Sequence, residues 1–483
     1  MDPATPGRQP RPGPPSLRLS PGLRRGYALG SVATGAFGTV PGLLLLPYLT
    51  DTLGIGAVIA GAIVFVPKAW DVVLNPISGR VSDHSAGRRG SRRPFLIRGG
   101  LALAACFALL FAGPGQPTWL AGLWVVVAFL GCATAYSFFQ VPYVAMPAEL
   151  TDDYTERTRL MTWRVGILAL AILVSGASAP AIRNTWEGHT GYRAMGVFVA
   201  LLIAAGTVGS YAGTRSERRS AVRASPGTLR QQLAVVGRAR DFRALLSTFV
   251  LQALATGAML AGVDYMARHV LHQESASTFL FACFVAPAMV VTPLWQRLGE
   301  RTGKKTGYVY ASLLLLLGAL LLIGSQVAPR GVVYAATALV GVGYAGVQVF
   351  PLAMLPDTAA VDAQRSGRNR IGVFTGIWTA GETLGLALGP GLYALVLAAG
   401  GYVSSSGGDV TQPASAVTAI TLGFSLLPAV LMVLSLLPLR GYRLGESEVR
   451  AALATYGDTG SSSGDDDGDE AKGDGDPPPA QSP

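Results

Sequence analysis

Long apolar runs separated by short polar stretches divide most of this chain. Each run has about 18 residues or more, enough for an α-helix to cross roughly 30 Å of hydrocarbon. The pattern predicts an all-α membrane protein. Its twelve spans are expected at residues 26–49, 55–79, 95–113, 118–148, 161–182, 194–212, 244–266, 275–296, 307–328, 332–356, 371–398 and 414–438.

Composition supports the same class of protein. Of the 483 residues, 50% are hydrophobic and only 14% are charged, a balance that excludes a soluble domain of this size. On the predicted topology, 32 of the 38 Lys and Arg fall on one side, in the tails, the loops and the adjoining helix ends. This one-sided distribution predicts insertion in the cell membrane with both termini cytoplasmic, and the net charge of +10 does not indicate nucleic-acid binding.

Polar stretches suggest five regions. We expect a cytoplasmic tail at residues 1–25, a six-helix bundle at 26–212 and an Arg-rich cytoplasmic linker at 213–243. A second six-helix bundle follows at 244–438. The acidic, Pro-rich remainder, 439–483, has the composition of a disordered tail.

The two predicted bundles also resemble each other in sequence. A Gly- and charge-containing motif after the second span recurs after the eighth, and six residues around the end of the fourth span recur 208 positions later around the tenth. Two parallel halves are the architecture of alternating-access transporters, whose substrate site lies between the halves. The recurring pairs include Tyr136 with Tyr344, and Gln140 with Gln348, which makes Gln348 a further cavity candidate.

The second span carries unusual polar residues. Lys68, Asp71, Asn75 and Ser78 share one stripe of the helix. A charge at mid-bilayer costs roughly 2.5–3.5 kcal/mol on insertion scales, so such residues are candidates for binding or ion coupling. Two interpretations stay open: a polar cavity faced by Lys68, Asp71 and Asn75, or a static Lys68–Asp71 pair that only locks helices together.

Two further stripes suggest a substrate cavity. Tyr136, Gln140 and Tyr143 lie at i, i+4 and i+7 on the fourth span, and Trp378 and Glu382 lie on the eleventh. Planar hydrogen-bonding groups and an aromatic face suit a sugar ring, with Trp378 as the stacking surface. The alternative is that these aromatic residues only fill helix contacts.

Two other charged residues have competing interpretations. Arg164, near the cytoplasmic end of the fifth span, either reaches a substrate hydroxyl or carboxylate or extends to lipid phosphate. Asp264, near the outer end of the seventh span, is expected to be a solvated helix end.

Charged cytoplasmic loops offer a gating network. Bridges between them would stabilise the outward-open state by joining helices at the cytoplasmic side. The alternative is that these charges only set the orientation of the chain. The gating candidates are Asp83, Arg88, Arg89, Glu149, Glu300, Lys304, Lys305 and Asp357.

Enzyme signatures are not found in the sequence. It has no phosphate-binding loop, no nucleophile–base set and no metal-ligand cluster, so we expect neither an enzyme nor a bound metal or cofactor. Cys106, Cys132 and Cys283 lie in apolar runs and are interpreted as small hydrophobic residues.

Several motifs together resemble a known family. They are Tyr48-Leu-Thr-Asp51, Trp70-Asp71-x3-Asn75-Pro76, Arg92-Arg93-Pro94-Phe95, Gln140-Val-Pro-Tyr143, Glu156-Arg-Thr-Arg-Leu160, and Gly376-x-Trp378 to Glu382. With them, residues 24–440 resemble the glycoside-pentoside-hexuronide:cation symporters of the major facilitator superfamily, which include the melibiose permease.

The resemblance implies sugar or glycoside uptake coupled to a proton or sodium ion, with the acids of the second span central to coupling. Asp71 matches the first of these acids, whereas Asn75 replaces the second. Gly35 and Gln140 stand where the melibiose branch has acids, and Thr383 stands where it has a lysine. Sodium coupling of the melibiose kind is therefore in question, while Asp71 or Glu382 remains available for proton coupling.

Other expectations follow from the same resemblance. Arg164 falls near an arginine of the family, one position away. The partner is expected to be a small molecule, carried by a monomer in the lipid bilayer. Two alternatives are export of a drug or secondary metabolite on the same scaffold, and lysolipid transport, since an animal lipid-symporter branch shares the motif of the second span.

Overall fold

A computed structural model describes residues 19–89, 92–151, 154–186, 188–215, 239–366, 371–406, 410–444 and 448. Most of both predicted tails and residues 216–238 of the predicted linker lie outside this part of the chain. So do the side chains at helix positions 72, 76, 83–89, 148–149, 154–155, 157–158, 363, 366 and 371–372.

Within the described residues, twelve helices are long and apolar enough to cross a membrane, as the apolar runs predict. The helices are α1 Pro21–Pro47, α2 Ala57–Arg89, α3 Arg93–Leu110, α4 Thr118–Ala145, α5 Tyr154–Arg183, α6 Gly188–Gly213, α7 Arg240–Tyr265, α8 Ala276–Thr302, α9 Lys304–Leu321, α10 Arg330–Ser366, α11 Ile371–Ala399 and α12 Ala414–Arg440.

Several helices differ from the apolar runs that predict them. α2 continues to Arg89 and α10 to Ser366, because hydropathy marks only the part of a helix that suits a bilayer. π-helical turns extend α1 over Tyr48–Thr52 and α7 over Met266–Val270. α12 is interrupted at Ser425, whose hydroxyl donates to the carbonyl of Thr421 at 2.6 Å.

Close packing of α1 against α6 depends on glycine. A Cβ atom placed on Gly26 would lie 2.4 Å from Cα of Gly213, and one placed on Gly213 would lie 2.3 Å from Cα of Gly26. Small residues let helix backbones approach this closely in a bilayer, where dispersion replaces the hydrophobic effect as the packing force. The glycine pair Gly26 and Gly213 therefore allows α1 and α6 to pack this closely.

The halves meet at one end of the bundle. α2 contacts α11, α5 contacts α8, and α1 contacts α7 across the boundary. At the α2–α11 contact, a Cβ atom on Gly61 would lie 3.3 Å from Cα of Gly391. The turn at residues 53–56 marks this end, which we name the outer end after the predicted orientation; the opposite end is the inner end.

Substitution of Gly26 by Ala should lower the melting temperature of the purified protein by several degrees. The added methyl group cannot fit without separating α1 from α6, and overpacking of this kind costs about 1–3 kcal/mol. Gly38→Ala is the matched control, because a Cβ atom there meets nothing within 4 Å. Equal melting temperatures for the two variants would contradict the glycine contact.

Candidate functional site

The charged side chains of α2 contact α1 and α4. The ammonium of Lys68 lies 4.5 Å from the ring centroid of Phe37 and 5.9 Å from that of Phe129. Asp71 is 3% exposed and accepts a hydrogen bond of 3.4 Å from Ser137 Oγ. Lys68 and Asp71 also act on each other electrostatically, although no contact of 4.0 Å or less is described between them. Both interpretations of the stripe therefore stay open.

The same stripe of α2 follows α4 further along the helix. Ser78 Oγ donates to the carbonyl of Ser137 at 2.8 Å, and Asn75 is half-buried. The polar stripe is therefore turned toward the interior of the first half and away from lipid. Asn75 offers an amide oxygen there but no charge.

The predicted residues of α4 meet α1. Gln140 Oε1 accepts a hydrogen bond of 2.7 Å from Thr34 Oγ1. The ring of Tyr136 packs on Phe37 with centroids 4.7 Å apart. The Tyr136 hydroxyl also lies within electrostatic reach of Asp71 on α2 and Glu382 on α11. One carboxylate from each half therefore acts electrostatically on Tyr136.

Tyr143 is enclosed within the first half in this conformation. Its side chain is fully buried, and its hydroxyl lies 2.9 Å from both Ser31 Oγ and the carbonyl oxygen of Tyr27. Arg164 lies over the Tyr143 ring, 5.4 Å from its centroid. Because the hydroxyl is engaged and the ring covered, the structure gives Tyr143 a supporting role beneath the half-buried Arg164.

Glu382 lies in a cavity of the second half. It makes no hydrogen bond or ion pair with any described residue. Gln348, its neighbour in this cavity, donates to the hydroxyl of Tyr344 at 3.0 Å, so it takes the cavity position that the repeat predicts for it. The other lining residues are Phe249, Gln252, Ala253, Thr256, Val347 and Leu386.

Trp378 packs beside this cavity. It is 2% exposed, and its ring stacks on Phe249 with centroids 4.3 Å apart. Its indole nitrogen is buried without a hydrogen-bond partner in the structure. In this conformation the predicted stacking surface is thus occupied by Phe249, and a sugar would need either a rearrangement or the opposite face.

Helix packing explains why this protein has a glycine at position 35, where the melibiose branch has an acid. A Cβ atom on Gly35 would lie 2.9 Å from Cβ of Ala171 and 3.1 Å from the backbone nitrogen of Ile172, both on α5. No larger side chain fits there without moving α5. The position at which that branch has an acid is a helix contact in this protein.

Two of the gating candidates of the second half, Lys304 and Asp357, contact each other. Lys304 Nζ lies 2.5 Å from Asp357 Oδ2, which joins the start of α9 to α10. Lys305 Nζ donates to the carbonyl of Tyr442 at 2.6 Å, and Glu300 is exposed. These contacts lie within one half. The side chains of Asp83, Arg88, Arg89 and Glu149 are outside the described residues.

A buried ion pair joins the halves at the outer end. Arg183 of α5 binds Asp264 of α7 through two nitrogen–oxygen contacts of 2.8 and 2.9 Å. Their side chains are 2% and 0% exposed. Ser277 Oγ also donates to Asp264, at 2.7 Å. The expectation that Asp264 is a solvated helix end is wrong, because α5 covers it and supplies its counter-ion.

Other polar groups extend this contact, and we call the whole the outer network. Arg268 Nε lies 3.2 Å from Asp264 Oδ2, and Arg268 Nη1 lies 3.9 Å from Asp51 Oδ2. Tyr402 donates to Asp51 at 2.6 Å and lies 3.0 Å from His269 Nε2. The outer network therefore joins α1, α5, α7 and the segment after α11.

Sequence reasoning missed this network, although a signal was present. Arg183 and Arg268 are two of only four basic residues other than histidine assigned to the outer side. Basic residues on that side oppose the positive-inside tendency, so each is expected to have a specific counter-ion. Asp51 and Asp264 are these counter-ions.

Comparison with known proteins identifies the family. The family described as "MFS/sugar transport protein" matches residues 26–446. The chain belongs to this family. Members of this MFS family are membrane transporters, and this chain is accordingly a multi-pass membrane protein.

Relatives of this MFS protein extend over almost its whole length. It is 25% identical to the putative glycoside/cation symporter YagG of Escherichia coli, over 88% of this chain and 92% of that protein. It is 25% identical to the isoprimeverose transporter of Lactiplantibacillus pentosus, over 88% and 89%. A sodium-dependent lysophosphatidylcholine symporter of Danio rerio is 23% identical, over 89% and 88%.

Solved structures show the same fold. A bacterial homologue of the human lysosomal transporter Spinster, in an inward-facing and unoccupied conformation, superimposes with a TM-score of 0.63. That match covers 90% of this chain and 96% of the other at 14% identity. The likeness supports the major facilitator architecture of two six-helix halves.

Removal of either Arg183 or Asp264 should destabilise the protein strongly, because the remaining charge is left buried. Loss of one partner of a buried pair costs about 3–5 kcal/mol. Thermal unfolding of Arg183→Ala, Asp264→Ala and the double variant would form a double-mutant cycle.

The double variant should lose much less stability than the two single variants lose together, because it leaves no unpaired charge buried. Arg330→Ala is the control, since the exposed Arg330 donates only to Gln273, at 3.1 Å, among its described contacts. Additive losses, or a loss as large in the control, would contradict the coupling.

Proposed function

We propose that this transporter carries a sugar or glycoside together with a cation by alternating access. The observation that carries the proposal is that Asp71 of the first half and Glu382 of the second half both act electrostatically on one residue, Tyr136. A site built from both halves is what a rocking-bundle transporter needs, because movement of one half against the other exposes the site to each side in turn. The names of the relatives support a sugar substrate.

Within this proposal, Asp71 couples the cation and Gln140 hydrogen-bonds the substrate. Arg164 is a second candidate for a substrate hydroxyl, and its side chain already lies over the Tyr143 ring. Tyr136 contributes a hydroxyl between the halves. Trp378 supplies an aromatic face once Phe249 moves away from it.

We propose a proton as the coupled cation in preference to sodium. A sodium site needs several hard oxygen ligands, of which carboxylates bind most strongly. This chain has Asn75 at the second acid position of α2, and Gly35 packs on α5 where another acid stands in the melibiose branch. Asp71 and Glu382 are titratable and lie in membrane-spanning helices of different halves.

The proposed orientation places the outer network at the extracellular face of the cell membrane, with both termini in the cytoplasm and a monomer as the working unit. The halves are then closed toward the outside. Outward opening requires separation of Arg183 from Asp264, while the inner-end charges at Asp83, Arg88, Arg89 and Glu149 become available for contacts between helices.

Lysolipid transport is the second candidate. It is favoured by the Danio rerio relative, which matches the chain as completely as the bacterial symporters do. A lysolipid needs an apolar path for its acyl chain beside a polar head-group site. Neutral sugars and lysolipids are therefore separate arms of the test below. Export of a drug or secondary metabolite on the same scaffold is the remaining alternative.

Counterflow uptake in proteoliposomes tests the proposal, because it needs no ion gradient and so separates substrate from coupling. We expect uptake of at least one labelled mono- or disaccharide, reduced at least tenfold in Asp71→Asn or Trp378→Ala. Glu274→Gln is the control, since this carboxylate is exposed at the outer end.

Each other outcome has a defined meaning. Uptake unchanged in both site variants would keep the function and contradict the site. No sugar uptake by folded protein, with uptake of a lysolipid, would replace the proposal with the second candidate.

A further inference from the structure

Glu382 is a carboxylate without a counter-ion in its own half. Residues 306–329, 331–364 and 371–439 contain no Lys, Arg or His, so α9, α10, α11 and α12 bring no basic side chain to it from their interiors. In α7 and α8, the segments 244–267 and 273–296 also contain none. Where the melibiose branch has a lysine next to this position, the chain has Thr383.

The basic residues of the first half are engaged elsewhere. Lys68 sits over the rings of Phe37 and Phe129, and Arg164 sits over Tyr143. Each of these cations is held by aromatic faces of its own half, at centroid distances below 6 Å. Glu382 thus faces its cavity with no protein cation bound to it.

The rest of the cavity lining is neutral, and the cavity is small in this conformation, about 10 Å³, so a sugar enters it only after the surrounding helices rearrange. Gln348 and Tyr344 line it with an amide and a hydroxyl that are hydrogen-bonded to each other at 3.0 Å, and the Tyr344 ring adds aromatic surface. The amide of Gln252 is already bonded to Ser312, Ser435 and Tyr308. A carboxylate beside aromatic rings and neutral hydrogen-bonding groups is complementary to a protonated amine on a hydroxyl-rich molecule.

We propose that Glu382 makes this site selective for amino sugars, with the substrate ammonium as its missing counter-ion. The inference rests on the proposed function, since it takes the sugar site as given and assigns its charge preference. A bound proton would also neutralise Glu382, but it would give no preference for an amine over the matching hydroxyl. The two occupants therefore predict different binding ratios.

Binding to purified full-length protein measures this preference. The probes are glucose and galactose, their 2-amino counterparts glucosamine and galactosamine, and N-acetylglucosamine, which keeps the nitrogen but loses the charge. Titrations near neutral pH keep the amines largely protonated without favouring protonation of Glu382, as an acidic buffer would. We expect at least one amino sugar to bind about tenfold or more tightly than both its hydroxyl counterpart and its acetylated form, as a charge-assisted hydrogen bond allows.

Variants at the same position make the test specific. In Glu382→Gln the ratio between amino and neutral sugar should fall to near one, while neutral sugar binding persists. Glu382→Asp should retain a preference because it retains the charge, and Glu274→Gln should behave as wild type. The wild-type ratio tests the inference even if Glu382→Gln fails to fold.

The outcomes separate the inference from the proposed function. Neutral sugars bound as tightly as amino sugars by the wild type would overturn the amine preference and leave the sugar site intact. A preference unchanged in Glu382→Gln would overturn the role of Glu382. A pH dependence that disappears in Glu382→Gln without any amine preference would assign the residue to a proton alone. No binding of any sugar would contradict the proposed function itself.

Discussion

The conformation of this protein depends on the buried ion pair between Arg183 and Asp264. Neither charge is tolerable alone in a water-excluded interior, and the pair is stable only while α5 and α7 stay in contact. Because these helices belong to different halves, the pair adds to the α2–α11 and α5–α8 contacts that hold the two bundles together at the outer end. Asp51, Arg268 and Tyr402 widen the contact and keep its remaining oxygens and nitrogens close to partners. When this end opens, water enters and replaces the protein partners of these charged groups.

The two halves share a repeat but not the same electrostatics. Tyr136 and Tyr344 are repeat mates, and each packs on a phenylalanine, with centroids 4.7 and 4.9 Å apart. The carboxylates beside them differ: Asp71 has Lys68 three residues away on the same helix, whereas Glu382 has no basic residue in its own helix. The second half therefore lacks the nearby basic residue that accompanies the carboxylate of the first half.

Sequence patterns predicted what depends on a single helix and missed what depends on a pair of helices. Twelve spans follow from apolar length, and the inward direction of Lys68 and Asp71 follows from their shared stripe. The burial of Tyr143 under Arg164 does not, because periodicity gives a face but not the neighbour that covers it. Arg183 and Asp264 are 81 residues apart, in different halves, so no local pattern connects them. Such a pair can be predicted from the sequence only by requiring that each buried charge have a partner of opposite charge.

The contact at Gly35 limits which side chains α1 can carry at this position. α5 lies over the position, with Ala171 and Ile172 against the glycine, so the helix contact and an acid there exclude each other. A substitution that introduced an acid would have to be accompanied by movement of α5. Backbone packing on α1 thus leaves the carboxylates of the membrane-spanning interior to other helices, such as Asp71 on α2 and Glu382 on α11.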